Sequence, residues 1–335
     1  MTSIVALIFG FAVAALVPTL LGENPVDVFH ILYLGALGSK TQFGYSLFYA
    51  TPLIFTGLSV AWAGKAGLFN IGAEGQMTMG GLAAVTVGIL APDLPTFWGL
   101  LLAVVAAFLL AGLWGAMAGW MKAYRGCNEV LTTILLNFVA YGVTAYFILH
   151  VFKNPNSQNP ETLPVAEAYQ LHMIRWLGGV SPLNIIFFVA LVVAAIFAFV
   201  FAKTKFGFRQ RLVGGSPEAA LRSGIHVQRQ QVLALFIAGG LAGLASLSPL
   251  LGSMTKLREG SAGGLGFVGI AVALLGRQKA FGVIISAFLF GALMKGALDL
   301  EIDTVAITRD LSIVIQAIII LTVASQKGLL GRYAH

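Results

Sequence analysis

The amino-acid sequence predicts an all-α, polytopic membrane protein of about ten transmembrane helices. Three observations carry this. The chain is 58% hydrophobic but only 10% charged, where a soluble globular chain is about a quarter charged. Its mean hydropathy is +0.90. Its apolar residues gather into stretches near the ~20 residues that a helix needs to cross a bilayer. The net charge of +7 follows from positive-inside bias and anionic headgroups, so membrane lipid rather than nucleic acid is the expected partner. Cys127 is the only cysteine, which excludes an intrachain disulfide and a cysteine metal cluster. The histidines His30, His150, His172, His226 and His335 lack metal-ligand spacing, and neither a metal nor another cofactor is expected. No nucleophile–base constellation appears, so the chain is not expected to be an enzyme.

The predicted spans are Thr2–Leu21, Tyr45–Ala63, Met77–Leu90, Phe97–Trp120, Val130–Phe152, Leu183–Ala202, Gln231–Leu251, Gly264–Gly276, Phe281–Leu298 and Asp310–Ala324. The first has no basic residue before it and reads as a retained span, not a cleaved signal. The third and eighth are short and glycine-interrupted, and each precedes a longer span rich in small residues. A weak internal repeat would produce that pattern, as would ordinary helix packing through small residues. Residues 1–335 form a single membrane domain in this reading, with an ordered outer loop at Lys153–Pro182 carrying a short amphipathic piece around Ala166–Leu177. Trp62, Trp98, Trp114, Trp120 and Trp176 fall mostly near span ends, where interfacial anchors sit.

Charge sets the orientation. With both termini in the cytoplasm, the inner segments hold Lys65, Lys122, Arg125, Arg277, Lys279, Lys327 and Arg332, while most acids lie outside. The strongest determinant is the basic island Lys203–Arg229, with Lys203, Lys205, Arg209, Arg211, Arg222 and Arg229 against one acid, Glu218. Within it Ser216 is a good N-cap, Pro217 suits the first helical position and Glu218 complements the helix N-terminus. Ala219, Ala220 and Leu221 propagate the helix, Arg222 comes next, and Gly224 can end it. Such a helix suits docking to a soluble partner; a solvated loop that only sets topology would look the same.

Polar residues inside apolar sequence mark the candidate pathway. In Lys65–Gly80, KAGLFNIGAEGQMTMG, Gly67, Gly72 and Gly75 are expected to break the helix, while Asn70, Glu74 and Gln76 bring polar groups that must face protein, water or one another. The segment reads as lining a cavity; Glu74 taken alone reads rather as a structural group bonding freed amides or a neighbouring helix. In Cys127–Asn137, Asn128 caps a helix from about Val130, with Glu129 at its favourable end. Thr133 and Asn137, at i and i+4, share a face. That face looks either into the pathway or onto a neighbouring helix. Phe267, in the glycine-rich Glu259–Gly269 stretch, supplies an aromatic surface; the stretch reads as a simple turn with close helix packing, the alternative being a gate.

These stretches together resemble the permease family of ATP-binding-cassette importers for branched-chain amino acids, simple sugars and nucleosides. KAGLFNIGAEGQ (Lys65–Gln76), NEVLTTILLNFVA (Asn128–Ala140), RLVGGSPEAALRSGI (Arg211–Ile225) and GFVGIAVALLGR (Gly266–Arg277) are similar to signatures of its nucleoside and simple-sugar branch. The resemblance implies a permease in the inner (plasma) membrane of a prokaryote, importing a nucleoside or a simple sugar by alternating access. It implies a second related permease as heterodimer partner, an ATP-binding-cassette ATPase and an extracytoplasmic solute-binding protein. Ser216–Gly224 would be the coupling helix. The chain has no phosphate-binding loop of its own: Gly64-Lys65 is followed by Ala66, without the upstream glycine or the Ser/Thr that would hold Mg²⁺. An ion-coupled secondary transporter is the rival reading, set back by the scarcity of acids within the spans.

Overall fold

The computed structural model describes residues 15–303 except 21, together with positions 13, 314, 317 and 318. Most of the predicted tenth span and the C-terminus with Lys327 and Arg332 lie outside the described residues, as do the N-terminus and most of the first span. The principal helices are α1 (Pro25–Leu37), α2 (Lys40–Lys65), α3 (Ala73–Leu90), α4 (Thr96–Arg125), α5 (Glu129–Tyr146), α6 (Ile186–Lys203), α7 (Lys205–Gly215), α8 (Pro217–Arg222), α9 (Val227–Leu244), α10 (Leu265–Leu275) and α11 (Ala280–Asp303). Short π turns extend α5 over Phe147–Val151 and succeed α9 at Leu250–Met254. The all-α expectation holds for the described residues, in which β pairing is confined to two isolated bridges.

Among the described residues, six helical segments are long and apolar enough to cross a membrane: Lys40–Lys65, Thr96–Arg125, Glu129–Val151, Ile186–Lys203, Val227–Met254 and Ala280–Ile302. These match six of the predicted spans. The predicted third span is α3, 18 residues and buried along most of its length. The predicted eighth is α10, with 11 residues; at 1.5 Å per residue it extends about 16 Å, half a bilayer. Gly75 does not break a helix as expected: it lies inside α3, while Gly72 is the N-cap. The helix α1 was missed, because its apolar run is shorter than a span. The expected amphipathic piece is only a 3₁₀ turn at Glu167–Tyr169 and a single turn at Arg175–Gly178.

The chain divides into two compact units. The first contains α1, α2 up to Ala50, the Ile174–Pro182 segment and α11 from Phe288. Val28 and Leu32 of α1 pack with Leu293, Ala297 and Leu300 of α11. Beside them is a polar cluster that sequence reasoning passed over: Lys295 pairs with Asp299 one turn on, Asp299 accepts a 3.0 Å bond from the Gln42 amide, and the Lys295 ammonium sits 5.5 Å from the Tyr45 ring centroid. A charge placed among apolar helices persists only with such partners.

The second unit comprises residues 51–173 and 183–287. Its helices α4 and α9 meet through small residues. Ala103, Ala107 and Ala111 are fully buried along one face of α4, and Gly115 continues it; a Cβ there would stand 2.2 Å from the Leu235 carbonyl oxygen. Only glycine allows that backbone approach, which yields dispersion contacts that lipid cannot supply. Trp62, expected as an interfacial anchor, is buried instead among Phe197, Phe201 and Phe206.

Candidate functional site

The polar residues singled out between Asn70 and Asn137 come together where the N-termini of α3 and α10 meet. The chain enters α3 through an amide knot. Asn70 Oδ1 accepts from the Gly72 N–H at 3.1 Å and from Gln76 Nε2 at 3.0 Å. Asn70 Nδ2 donates to Gln76 Oε1 at 2.8 Å and to the Ser59 hydroxyl of α2 at 3.1 Å. From α5, Asn137 Oδ1 accepts the Gly75 N–H at 2.8 Å, and Asn137 Nδ2 donates to the Ile71 carbonyl at 3.0 Å. The face shared by Thr133 and Asn137 therefore looks onto α3, not away from it. Thr133 turns its hydroxyl back to the Glu129 carbonyl of its own helix at 2.8 Å.

Glu74 completes the junction. Each carboxylate oxygen accepts one backbone N–H of the chain entering α10, Gly264 and Gly266, both at 2.7 Å. The Tyr141 side chain lies close to the same carboxylate. Helix N-termini present unpaired N–H groups and the positive end of the peptide dipole, so a carboxylate there satisfies both demands at once. The contact needs glycine at 266, where a Cβ would lie 2.3 Å from the Glu74 amide nitrogen.

Two helices measure the depth of this junction. The Thr56 hydroxyl of α2 bonds the Leu265 carbonyl at 3.2 Å. Thr56 precedes Lys65 at the helix end by about 13 Å of rise, and Asn137 lies beyond Glu129 on α5 by about 12 Å. Both distances approach half of a hydrocarbon core about 30 Å thick.

Of the predicted pathway residues, Asn70, Glu74, Gln76, Thr133 and Asn137 are gathered in this knot, buried and bonded to one another or to backbone. Glu74 bonds freed amides, as the structural reading of that residue expects. Phe267, on α10, is 45% exposed and stands outside the hydrogen-bond set. Sequence reasoning missed Tyr141, Thr78 and Thr144, which line a cavity of about 210 Å³ with Ala145, Glu259 and Gly260. A signal existed: Thr133, Asn137, Tyr141 and Thr144 continue one helical face at intervals of four, four and three.

Two further polar devices flank the junction. The segment after α5 is strapped to the chain after α9 by Glu161, which accepts from Lys256 at 2.8 Å and from Arg258 at 3.0 Å. The hydrogen bond from Lys256 is the chief reason that the Glu161 carboxyl is held down at about 2. Backbone bonds between Thr162 and Leu257 and from Val165 to Thr255 continue the strap.

In the basic island the predicted short helix is present as α8. Ser216 accepts from the Ala219 N–H at 3.2 Å, Pro217 opens the helix, and Gly224 stands just past it at φ +73°. Ala220 is fully buried, whereas Glu218, Ala219 and Arg222 are exposed. The first half of the island is itself a helix, α7, where the sequence suggested loop. Gln210 ties it to Gln230 of α9 at 2.9 Å. A cavity of about 580 Å³ opens beside Lys205, Arg209, Gly224, His226 and Arg229. Arg211 and Lys279, distant in sequence, both lie near Lys65.

Residues 42–324 match the family described as branched-chain amino acid transport system / permease component. The chain is 37% identical to the guanosine ABC transporter permease protein NupP of Bacillus subtilis, over 97% of this chain and 93% of that protein. It is 34% identical to the nucleoside ABC transporter permease protein NupB of Lactococcus lactis, over 88% and 82%, and 32% identical to the glucose ABC transporter permease protein TsgB13 of Haloferax volcanii, over 96% and 86%. A second guanosine permease of the same Bacillus matches at 29%, and a second nucleoside permease of the same Lactococcus at 27%. No solved structure matches the chain.

Proposed function

We propose that this chain, which belongs to the family of permease components of branched-chain amino acid transport systems, is the membrane-spanning subunit of an ATP-driven nucleoside importer. The observation that carries this reading is nearly full-length similarity to permeases named for guanosine and nucleosides in two different bacteria. A simple sugar is the second reading, favoured by the glucose permease among the relatives.

The chain supplies a conduit and an ATPase on a separate chain supplies the work. Two related permeases match from each of two organisms, which supports a heterodimer with a second permease. An extracytoplasmic binding protein delivers the solute, and the assembly sits in the inner membrane of a prokaryote with both termini in the cytoplasm. The basic island then lies inside, as the positive-inside rule requires, and α8 with its capping Ser216 and terminating Gly224 is the element that docks the ATPase. Its exposed Glu218, Ala219 and Arg222 are the contact groups, and its buried Ala220 anchors it to the permease.

The junction of α3 and α10 acts as a rigid septum near the middle of the membrane. Interrupted helices whose N-termini meet at that depth are what alternating access is built around in other transporters. Asn70, Glu74, Gln76, Thr133 and Asn137 hold the septum, and Phe267 offers an aromatic face beside it. The test is uptake into proteoliposomes holding this permease, its partner permease and the ATPase, with binding protein outside and ATP inside. ATP-dependent accumulation of guanosine is expected. Accumulation of glucose but not nucleosides selects the second reading, and gradient-driven uptake by this chain alone overturns both.

A further inference from the structure

Threonines within helices ordinarily return their hydroxyl to the carbonyl one turn back. Thr78, Thr86, Thr132 and Thr133 all do so here, at 2.8 to 2.9 Å. Thr144 does not. It is 3% exposed, yet its Oγ1 has no hydrogen-bond partner, and it lines the cavity of about 210 Å³ shared by α3, α5 and the turn at Glu259–Gly260. A buried hydroxyl without a partner is unfavourable in the empty protein and becomes favourable when a ligand supplies one.

The rest of the lining defines that ligand. The Thr78 proton is committed to the Glu74 carbonyl, so its oxygen is left to accept, while the Tyr141 hydroxyl can donate as well as accept. The Glu259 carboxyl, exposed at the rim, accepts, and in its ionised form it does not donate. The Thr144 hydroxyl has no partner and can both donate and accept. Among the lining side chains acceptors outnumber donors, so the matching solute donates several hydrogen bonds to them and accepts few. The Glu259 charge disfavours phosphates and carboxylates. Adjacent hydroxyls on a neutral ring satisfy this set: one bridges to Glu259 while accepting from Thr144, and its neighbour donates to Tyr141 or Thr78. Thr144 lies about 22 Å along α5 from Glu129, on the far side of the Glu74–Asn137 septum from the basic island.

We propose that this cavity recognises the vicinal diol of the transported solute. This rests on the nucleoside or simple-sugar reading above, whose solutes share that chemistry. The experiment is competitive uptake by the assembled importer of a ribonucleoside against its 2′,3′-dideoxy analogue, in the wild type and in Thr144→Val, Thr144→Ser and Glu259→Gln. One binding protein serves every variant, so a changed preference belongs to the permease. The wild type is expected to favour the ribonucleoside by about tenfold or more, from hydrogen bonds that the analogue cannot make. Thr144→Val and Glu259→Gln should each reduce the preference at least threefold, and Thr144→Ser should restore it. The thermal midpoint of Thr144→Val should stay level or rise, since an unpartnered hydroxyl has gone. An importer that moves nucleosides with the same preference in all four proteins overturns the diol site alone. One that moves neither nucleosides nor sugars overturns the transport function and the site together.

Discussion

Replacing Glu74 with glutamine separates a structural carboxylate from a solute ligand. The side chain is 2% exposed, and its two oxygens each take a backbone N–H at 2.7 Å. Glutamine keeps one oxygen. Its NH₂ group then faces the second N–H, donor against donor, and leaves that amide unpaired, at about 1–3 kcal/mol. Losing the negative charge at the N-terminus of α10 removes about 0.3–1 kcal/mol more, and up to about 2 in a buried setting. The sum is about 1.3–5 kcal/mol. A central loss near 3 kcal/mol is about a hundredfold shift in the folded-to-unfolded ratio. Reversible denaturation of the purified permease in mixed micelles, monitored by helical signal, measures it directly. Uptake should fall with the amount of folded protein while the apparent KM for solute stays unchanged. A Glu74→Gln protein of wild-type stability whose KM is raised would refute the capping role and make Glu74 a solute contact.

The same geometry makes three further outcomes measurable. Asn137→Ala strands the Gly75 N–H and the Ile71 carbonyl together, so it should destabilise by about 2–5 kcal/mol in the same denaturation assay; a loss under about 1 kcal/mol would show that the amide knot closes without it. Gly224→Val forces a β-branched residue to φ +73°, at about 1–2 kcal/mol of local strain. In the assembled complex ATP hydrolysis should continue while uptake drops at least tenfold, as it should with Glu218→Lys; variants with normal hydrolysis and normal uptake remove α8 from the docking role. The strap at Glu161 carries a pH signature. Its carboxyl is held at about 2 against an ordinary 4.5, so its contribution is complete above the ordinary value and disappears as pH falls through that interval. Hydrogen exchange of residues 153–165 should therefore accelerate between about pH 4.5 and 2 in the wild type. Glu161→Gln should exchange fast throughout; an unchanged wild-type profile across that window would show that other contacts hold the strap.

Patterns confined to one helix were legible in the sequence. Apolar length gave the six long segments, because a bilayer imposes a minimum run whatever the fold. Ser216, Pro217 and Gly224 announced α8, and Asn128 announced the start of α5, where it accepts from the Val130 N–H at 2.9 Å, because capping is decided by neighbours one to three residues away. The family was legible in the motifs around Asn70, Asn137 and Gly266. Where local reasoning failed, a distant partner was the cause. Gly75 reads as a helix breaker until Asn137, 62 positions away, takes its N–H. Trp62 reads as an anchor until Phe197 and Phe201 enclose it.

Composition and spacing thus determined by themselves that the chain is helical and membrane-embedded, which polar residues had to be buried, and which ones share a face. Only the tertiary structure decided what those residues meet: Glu74 the amides of Gly264 and Gly266, Asn137 the entry to α3, and Thr144 nothing but a cavity. The reason is physical. A helix satisfies its backbone from within, so its existence is a local property, whereas a polar side chain at bilayer depth must be satisfied by whatever packing brings to it.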